Sequence, residues 1–157
     1  MLATLTLLAV LFFLDVLFET AIIAALGASA FIVFTMPKTY SSDPRRLIGG
    51  YLVGISVGVV LYFVSKAEFS KDLFSSDTTP LIVFGAISVG IAIFIMAITN
   101  TEHAPAAGIA LGLVINEWTN TTLIFILVAI IWMTVVRKIL GPYLINLTSP
   151  LKINSKN

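Results

Sequence analysis

The sequence predicts an all-α polytopic membrane protein with two related halves, built from four full spans and two short segments broken by glycine or proline. Three observations predict it. Hydrophobic residues make up 59% of the 157-residue chain and charged residues only 11%, about half the charge that clothes a soluble domain. Mean hydropathy is +1.07, and the apolar residues fall into long runs separated by short polar stretches. The only histidine lies in His103-Ala104-Pro105-Ala106-Ala107-Gly108, between two such runs. There a titratable ring beside a proline and a glycine marks a break in regular structure.

Met1 to Met36 carries only two charges, Asp15 and Glu19. As one helix it would run about 54 Å against about 30 Å of hydrocarbon, so it must turn or break, and the two carboxylates mark the cheapest place. A span is expected near residues 2–18, and a short glycine-bearing segment near 20–36, ended by Pro37. The apolar start lacks a basic leader region and a small-residue cleavage site, and it reads as a retained span. Lys38 to Arg46 is polar, Leu47 to Ser65 is a clean apolar run, and Lys66 to Pro80 is a Ser/Asp/Thr-rich loop. Leu81 to Thr99 and Thr122 to Leu140 are further spans, the last stopped by Gly141-Pro142. Between these two spans, Pro105 to Ile115 would rise only about 16 Å, half a bilayer. It either crosses with the help of neighbours or dips in and returns.

The chain forms one membrane domain, with repeat halves expected at 1–65 and 80–140, a polar loop at 66–79 and a tail at 141–157. Offset by 81 residues, Phe13, Thr20, Ala25, Gly27 and Val33 fall on Phe94, Thr101, Ala106, Gly108 and Val114. Paired short segments interrupted by Gly or Pro are the pattern of transporters built from repeats. If both short segments cross, the halves are inverted. Lys38, Arg45, Arg46, Arg137, Lys138, Lys152 and Lys156 then share a side against Lys66 and Lys71. If both re-enter, the basic residues divide six against three. The positive-inside rule favours crossing.

Pro105 suits the first position of a helix, where its missing N–H costs nothing. The N–H groups of Ala106, Ala107 and Gly108 would then be free beside small side chains, at the positive end of the helix dipole. With His103 next to them they would make a site for a small anion. Gly27, Ala28 and Ser29 would be the counterpart in the first half, Ser29 supplying a hydroxyl. The plainer reading is that His103 hydrogen-bonds to nearby backbone and locks the break. Arg45 and Arg46 either set topology or gather an anion, and Glu102 or Glu117 could pair with one of them. Gly50, Gly54 and Gly58 form one smooth helical stripe, best read as a packing seam, and Gly108 and Gly112 repeat the spacing.

Several function classes are excluded. Nine basic and eight acidic residues leave a net charge of +1, which gives a nucleic-acid partner no electrostatic support. With no cysteine and one histidine, there is no thiolate chemistry, no metal cluster and no expected cofactor. No catalytic set or nucleotide fingerprint appears, so an enzyme is not expected.

Leu26-Gly27-Ala28-Ser29-Ala30, then Pro44-Arg45-Arg46-Leu47-Ile48-Gly49-Gly50, then His103-Ala104-Pro105-Ala106-Ala107-Gly108 together resemble the HPP family of integral membrane proteins. Their order and separation fit from about Ala24 to Leu140. The family's namesake His-Pro-Pro is here His103-Ala104-Pro105, and the His common after the Gly-Gly pair is here Tyr51. The first change keeps the helix-start proline; the second removes a protonatable partner for His103. The resemblance implies four membrane spans, which favours re-entrant short segments. It also implies nitrite as the leading substrate, because members in plastids and cyanobacteria are linked to nitrite transport.

The expectation is therefore a transporter or channel for a small inorganic anion, with helix starts at Gly27 and Pro105 facing a shared site. The competing expectation is a structural or accessory subunit of a larger membrane complex. So few helices hardly enclose a pore alone, so a homo-oligomer or a membrane complex is expected. The expected location is the plasma membrane of a prokaryote, with a plastid or other organelle membrane as the alternative.

Overall fold

A computed structural model of the protein describes residues 20–74 and 78–147. The span expected at 2–18, with Asp15 and Glu19, and the end of the tail, with Lys152 and Lys156, lie outside the described residues. Within them the chain is helical: α1 (Thr20–Thr35), a 3-10 turn (Tyr40–Ser42), α2 (Pro44–Lys66), α3 (Glu68–Leu73), α4 (Thr78–Thr99), α5 (Ala104–Ile115) and α6 (Asn120–Leu140). Among the described residues three stretches, Pro44–Lys66, Thr79–Thr99 and Asn120–Leu140, are long and apolar enough to cross a membrane. They correspond to three of the four expected spans. α1 and α5 are the shorter apolar helices, and α3 is a six-residue helix inside what reads from sequence as a loop.

The breaks between helices have local causes. Pro44 sits in the first turn of α2 after Asp43 in extended conformation, where a proline forfeits no helical bond. Asn100 ends α4 with φ 55°, a left-handed conformation that asparagine tolerates better than most residues. The Thr101 N–H then closes back on the Met96 carbonyl at 2.9 Å. The reversal turns residues 101–103 over the start of α2. Thr119 and Thr122 form a reciprocal capping box at the start of α6, satisfying two donors that a helix start otherwise leaves open.

The helices alternate in direction. Asn100, after α4, meets Arg46 at the start of α2, and Arg137, near the end of α6, donates to the Pro37 carbonyl after α1. At the opposite end, Trp118 before α6 packs on Tyr62 near the end of α2, ring centroids 5.2 Å apart. α5 thus enters from the end that holds Asn100 and leaves toward the end that holds Trp118. It does not return to its starting side, which departs from the re-entrant course implied by four spans. With 12 residues it rises about 18 Å, and the extended Asn116–Thr119 stretch leads on to the start of α6.

α5 is the buried centre of the bundle. Ala106, Ala107, Ile109, Ala110, Gly112, Leu113 and Val114 are all buried. One of its faces lies on the glycine stripe of α2. A Cβ at Gly54 would run into the Ala106 carbonyl oxygen, and one at Gly58 would stand 3.0 Å from the Ala110 backbone. The other face meets α1, where a Cβ at Gly112 would lie 2.8 Å from Ile22. Backbone-to-backbone approach of this kind lets a short helix gain dispersion contacts and excludes lipid from its polar ends. Around this centre, Phe31, Phe63, Ile82, Phe94, Ile98, Ile124 and Trp132 face outward, as a lipid-facing surface requires.

Candidate functional site

At the start of α5 three helices and a turn converge on His103, whose side chain is fully buried. His103 precedes α5 with extended backbone, φ −139° and ψ 96°. Gly49 and Gly50 make room for it. A Cβ at Gly50 would sit 2.8 Å from the His103 Cβ, and one at Gly49 2.6 Å from Thr101. The Gly-Gly pair is thus the cradle into which residues 101–103 settle.

Both ring nitrogens are engaged. Nδ1 lies 2.9 Å from the Ser41 carbonyl oxygen, which can only accept, so Nδ1 carries the proton. Nε2 lies 2.8 Å from Ser29 Oγ. Ser29 Oγ in turn lies 2.7 Å from Tyr51 Oη, and that phenol stands 3.2 Å from the Ala25 carbonyl. Ser29 comes from α1 and Tyr51 from α2, both fully buried. The rings of Tyr51 and His103 are tilted, centroids 5.7 Å apart. In the neutral imidazole the hydroxyl of Ser29 donates to Nε2 and leaves its oxygen to accept from Tyr51. Such a buried polar chain stays in an apolar interior only if every member has a partner.

A second polar cluster lies one turn away, toward the basic end. Arg46, almost wholly buried, donates through Nη1 to the Asn100 carbonyl at 3.1 Å and to Glu102 Oε2 at 2.5 Å. Its Nη2 donates to Asn100 Oδ1 at 2.8 Å. Its guanidinium lies over the Tyr40 ring, and the Tyr40 hydroxyl donates to the same Asn100 side chain. Glu102 is 46% exposed, so the ion pair itself contributes little and the desolvated bonds to Asn100 contribute more. Arg46→Ala is expected to cost about 1–3 kcal/mol, while Glu102→Gln costs under about 1 kcal/mol. Arg46→Lys should behave like the alanine variant, because an ammonium lacks the planar fork. Thermal unfolding of the three variants in one detergent checks the order.

The structure brings together some expected site residues and separates others. His103 and Ser29 meet, with Ala106 and Ala107 buried just below. Pro105 is the second residue of α5, not the first, and the Ala106 N–H already donates to the His103 carbonyl at 2.9 Å. The start of α5 is therefore closed by its own first turn, and the Gly108 N–H falls opposite Ala104 within the helix. Gly27 is not a helix start: α1 runs through it from Thr20 to Thr35. A glycine inside a strongly apolar run does not break a helix whose neighbours pack it. A Cβ at Gly27 would meet nothing within 4 Å, and Ala28 beside it is exposed. Arg45 is exposed as well, while Arg46 is committed to Asn100 and Glu102. Glu117 lies at the opposite end from both arginines.

Two contributors escape a reading of the sequence, and a third, Tyr51, enters it only as the residue in place of a histidine common in the family. Tyr51 is the one that period could place, since it lies three residues before Gly54 and four after Leu47, on the same stripe. The Ser41 carbonyl leaves no sequence signal because it is backbone, and the Asn100 side chain leaves none because it meets Arg46 across 54 residues of chain.

Comparison with known proteins supports a membrane protein. A transmembrane protein of Dictyostelium discoideum is 30% identical over 111 residues, which is 67% of this chain and 35% of that protein. The chain therefore spans about a third of the relative's length. No solved structure matches. The family description "HPP, transmembrane region" matches residues 1–150. With the short helix entered through His103-Ala104-Pro105 at its centre, the chain belongs to the HPP family of integral membrane proteins.

Proposed function

We propose that the protein is a membrane transporter for a small inorganic anion, with nitrite as the first candidate. The observation that carries the reading is the junction of His103, Ser29 and Tyr51, a buried polar cluster at the entry of a half-length helix. Polar and titratable groups held inside a membrane bundle are costly and mark solute or ion pathways by default. Further support comes from the course of the helices. By the offset of 81 residues α1 pairs with α5 and α2 with α6, and each pair runs in opposite directions, as inverted repeats do.

In this reading the arrangement described above is an occluded one. The anion reaches the small-residue start of α5 when that helix moves relative to the glycine stripe, exposing the Ser29 hydroxyl and the His103 ring, while Ala106, Ala107 and Gly108 keep their helical bonds and give the anion room through their small side chains. Arg45, exposed at the basic end, draws the anion in, and Arg46 holds the turn through which it passes. Lys38, Arg45, Arg46, Arg137 and Lys138 gather at one end against Lys66 and Lys71 at the other, which assigns the first end to the inside. A second copy completes the enclosure of the pathway.

The test is anion flux in proteoliposomes, with nitrite against nitrate, chloride and formate. The reading expects saturable nitrite uptake that exceeds that of the controls. The competing reading is a structural or accessory subunit of a larger membrane complex. Folded, inserted protein that carries no anion would support that alternative.

A further inference from the structure

We propose that His103, Ser29 and Tyr51 form a reversible proton-binding relay, in which one proton is taken up on His103 Nε2 as two hydroxyl groups reverse direction. The geometry allows two complete hydrogen-bond patterns over the same atoms. With neutral His103, Tyr51 donates to Ser29, Ser29 donates to Nε2, and Nδ1–H donates to the Ser41 carbonyl. With protonated His103, Nε2–H donates to Ser29 Oγ, the Ser29 hydroxyl turns to donate to Tyr51 Oη, and Tyr51 turns to donate to the Ala25 carbonyl. Nδ1–H keeps its bond to Ser41 in both. Every donor has an acceptor in either state.

That completeness is what a structural lock would not need. A histidine that only braces a turn requires one pattern, whereas here the phenol has two acceptors in reach, Ser29 Oγ at 2.7 Å and the Ala25 carbonyl at 3.2 Å. Here the terminal acceptor is in place for the reversed pattern. A buried charge with an unmatched donor costs far more than one whose bonds are all made. The proton balance also closes. A proton from a hydronium ion that reaches Tyr51 Oη when the junction opens, leaving water behind, displaces the phenol proton to Ser29 Oγ, which passes its own proton to Nε2. The net change is one proton on the imidazole, with Tyr51 and Ser29 restored as neutral hydroxyls.

Among the described residues the relay holds no carboxylate, ammonium or guanidinium of its own, but α6 brings Arg137 to the adjoining turn, where it donates to the Pro37 carbonyl at 2.9 Å and to Ser42 Oγ at 3.3 Å. α1 presents Ser29 and the Ala25 carbonyl, and the turn presents the Ser41 carbonyl. α2 presents Tyr51, the other titratable group in the relay. The neighbouring Glu102 is held by Arg46, while Arg45 is exposed and Asp43 half-buried at the start of α2. Because the relay ties α1, α2 and the entry of α5 together, its proton occupancy sets how these three elements are joined. The coupling of that occupancy to anion movement rests on the transport reading given above.

His103 is the only histidine, so 15N-histidine labelling reports this site alone. The experiment is NMR of the labelled protein in lipid nanodiscs from pH 4 to pH 9. At high pH the expected spectrum has a protonated Nδ1 and an unprotonated Nε2. As pH falls, both nitrogens become protonated in one reversible step while the protein stays folded. In Ser29→Ala the midpoint is expected to fall by about one pH unit. The bond lost to the charged ring outweighs the one lost to the neutral ring, and one unit corresponds to about 1.4 kcal/mol. A neutral ring protonated on Nε2, or a ring that keeps one state across the range, would overturn the proposal on the parent protein alone. An unchanged midpoint in a folded Ser29→Ala variant would overturn the role of the relay. Nitrite flux measured on the same preparation separates the two readings: titration without flux leaves the relay standing and removes the transport reading, and flux without titration does the reverse.

Discussion

Gly54→Leu is expected to prevent the bundle from assembling, with most of the protein lost to aggregation on extraction from the membrane. A Cβ at this position is aimed at the Ala106 carbonyl oxygen, with Ile109 close beside it. The obstacle is backbone, so no rotamer change can yield, and α2 and α5 must move apart along the whole seam. Even Gly54→Ala should cost more than the usual range of about 1–3 kcal/mol for an overpacked core. Gly58→Ala, whose Cβ would stand 3.0 Å from the Ala110 backbone and Leu113, should cost less. Gly27→Ala is the control. Nothing lies within 4 Å of its Cβ position, and removing a helical glycine stabilises by about 0.5–1 kcal/mol. Size-exclusion profiles and thermal unfolding in a single detergent would rank the four proteins. A folded Gly54→Leu protein would show that the seam is not the close contact described.

His103→Ala is expected to destabilise the bundle by about 2–4 kcal/mol, from two lost buried hydrogen bonds and the cavity left by the ring. It leaves the Ser41 carbonyl without its side-chain donor and Ser29 without its ring partner, so the loss falls on the joint between α1, the turn and α5. Ser29→Ala removes one link while keeping the ring and its bond to Ser41, and should cost about 1–2 kcal/mol. Thermal unfolding of the two variants tests the order. If His103→Ala unfolded no earlier than Ser29→Ala, the ring would not be the hub of the junction.

The long helices are legible in the sequence because apolar runs of bilayer length, with Pro44 before one and Gly141-Pro142 after another, leave few alternatives. The short helix after His103 is legible through its oddity: an eleven-residue apolar stretch after His and Pro is too short to span alone. The role of Gly54 is readable from the four-residue spacing of glycines, although the spacing does not say which helix lies against it. Other features are hidden by physics rather than by noise. α1 and α5 are apolar on every side, so periodicity carries no facing information, and Gly27 reads as a break when it is an interior position. The site itself joins Ser29 to Tyr51 and to His103 across 22 and 74 residues of chain. Contacts at such separations follow from how the helices cross, which a single sequence does not contain. The satisfied N–H of Ala106 escapes for a smaller reason: the first turn of α5 closes one residue earlier than Pro105 suggests.

The central claim is that a small anion crosses the membrane through the junction at His103. The most direct measurement is the initial rate of nitrite uptake into proteoliposomes of the parent and of His103→Ala, at equal amounts of inserted, folded protein and against protein-free vesicles. The account predicts saturable uptake by the parent and at least a roughly tenfold lower rate for the variant, the loss expected when a positioned acid–base or polar group is removed from a pathway. Equal rates in the two proteins, or parent uptake no faster than protein-free vesicles, would contradict it.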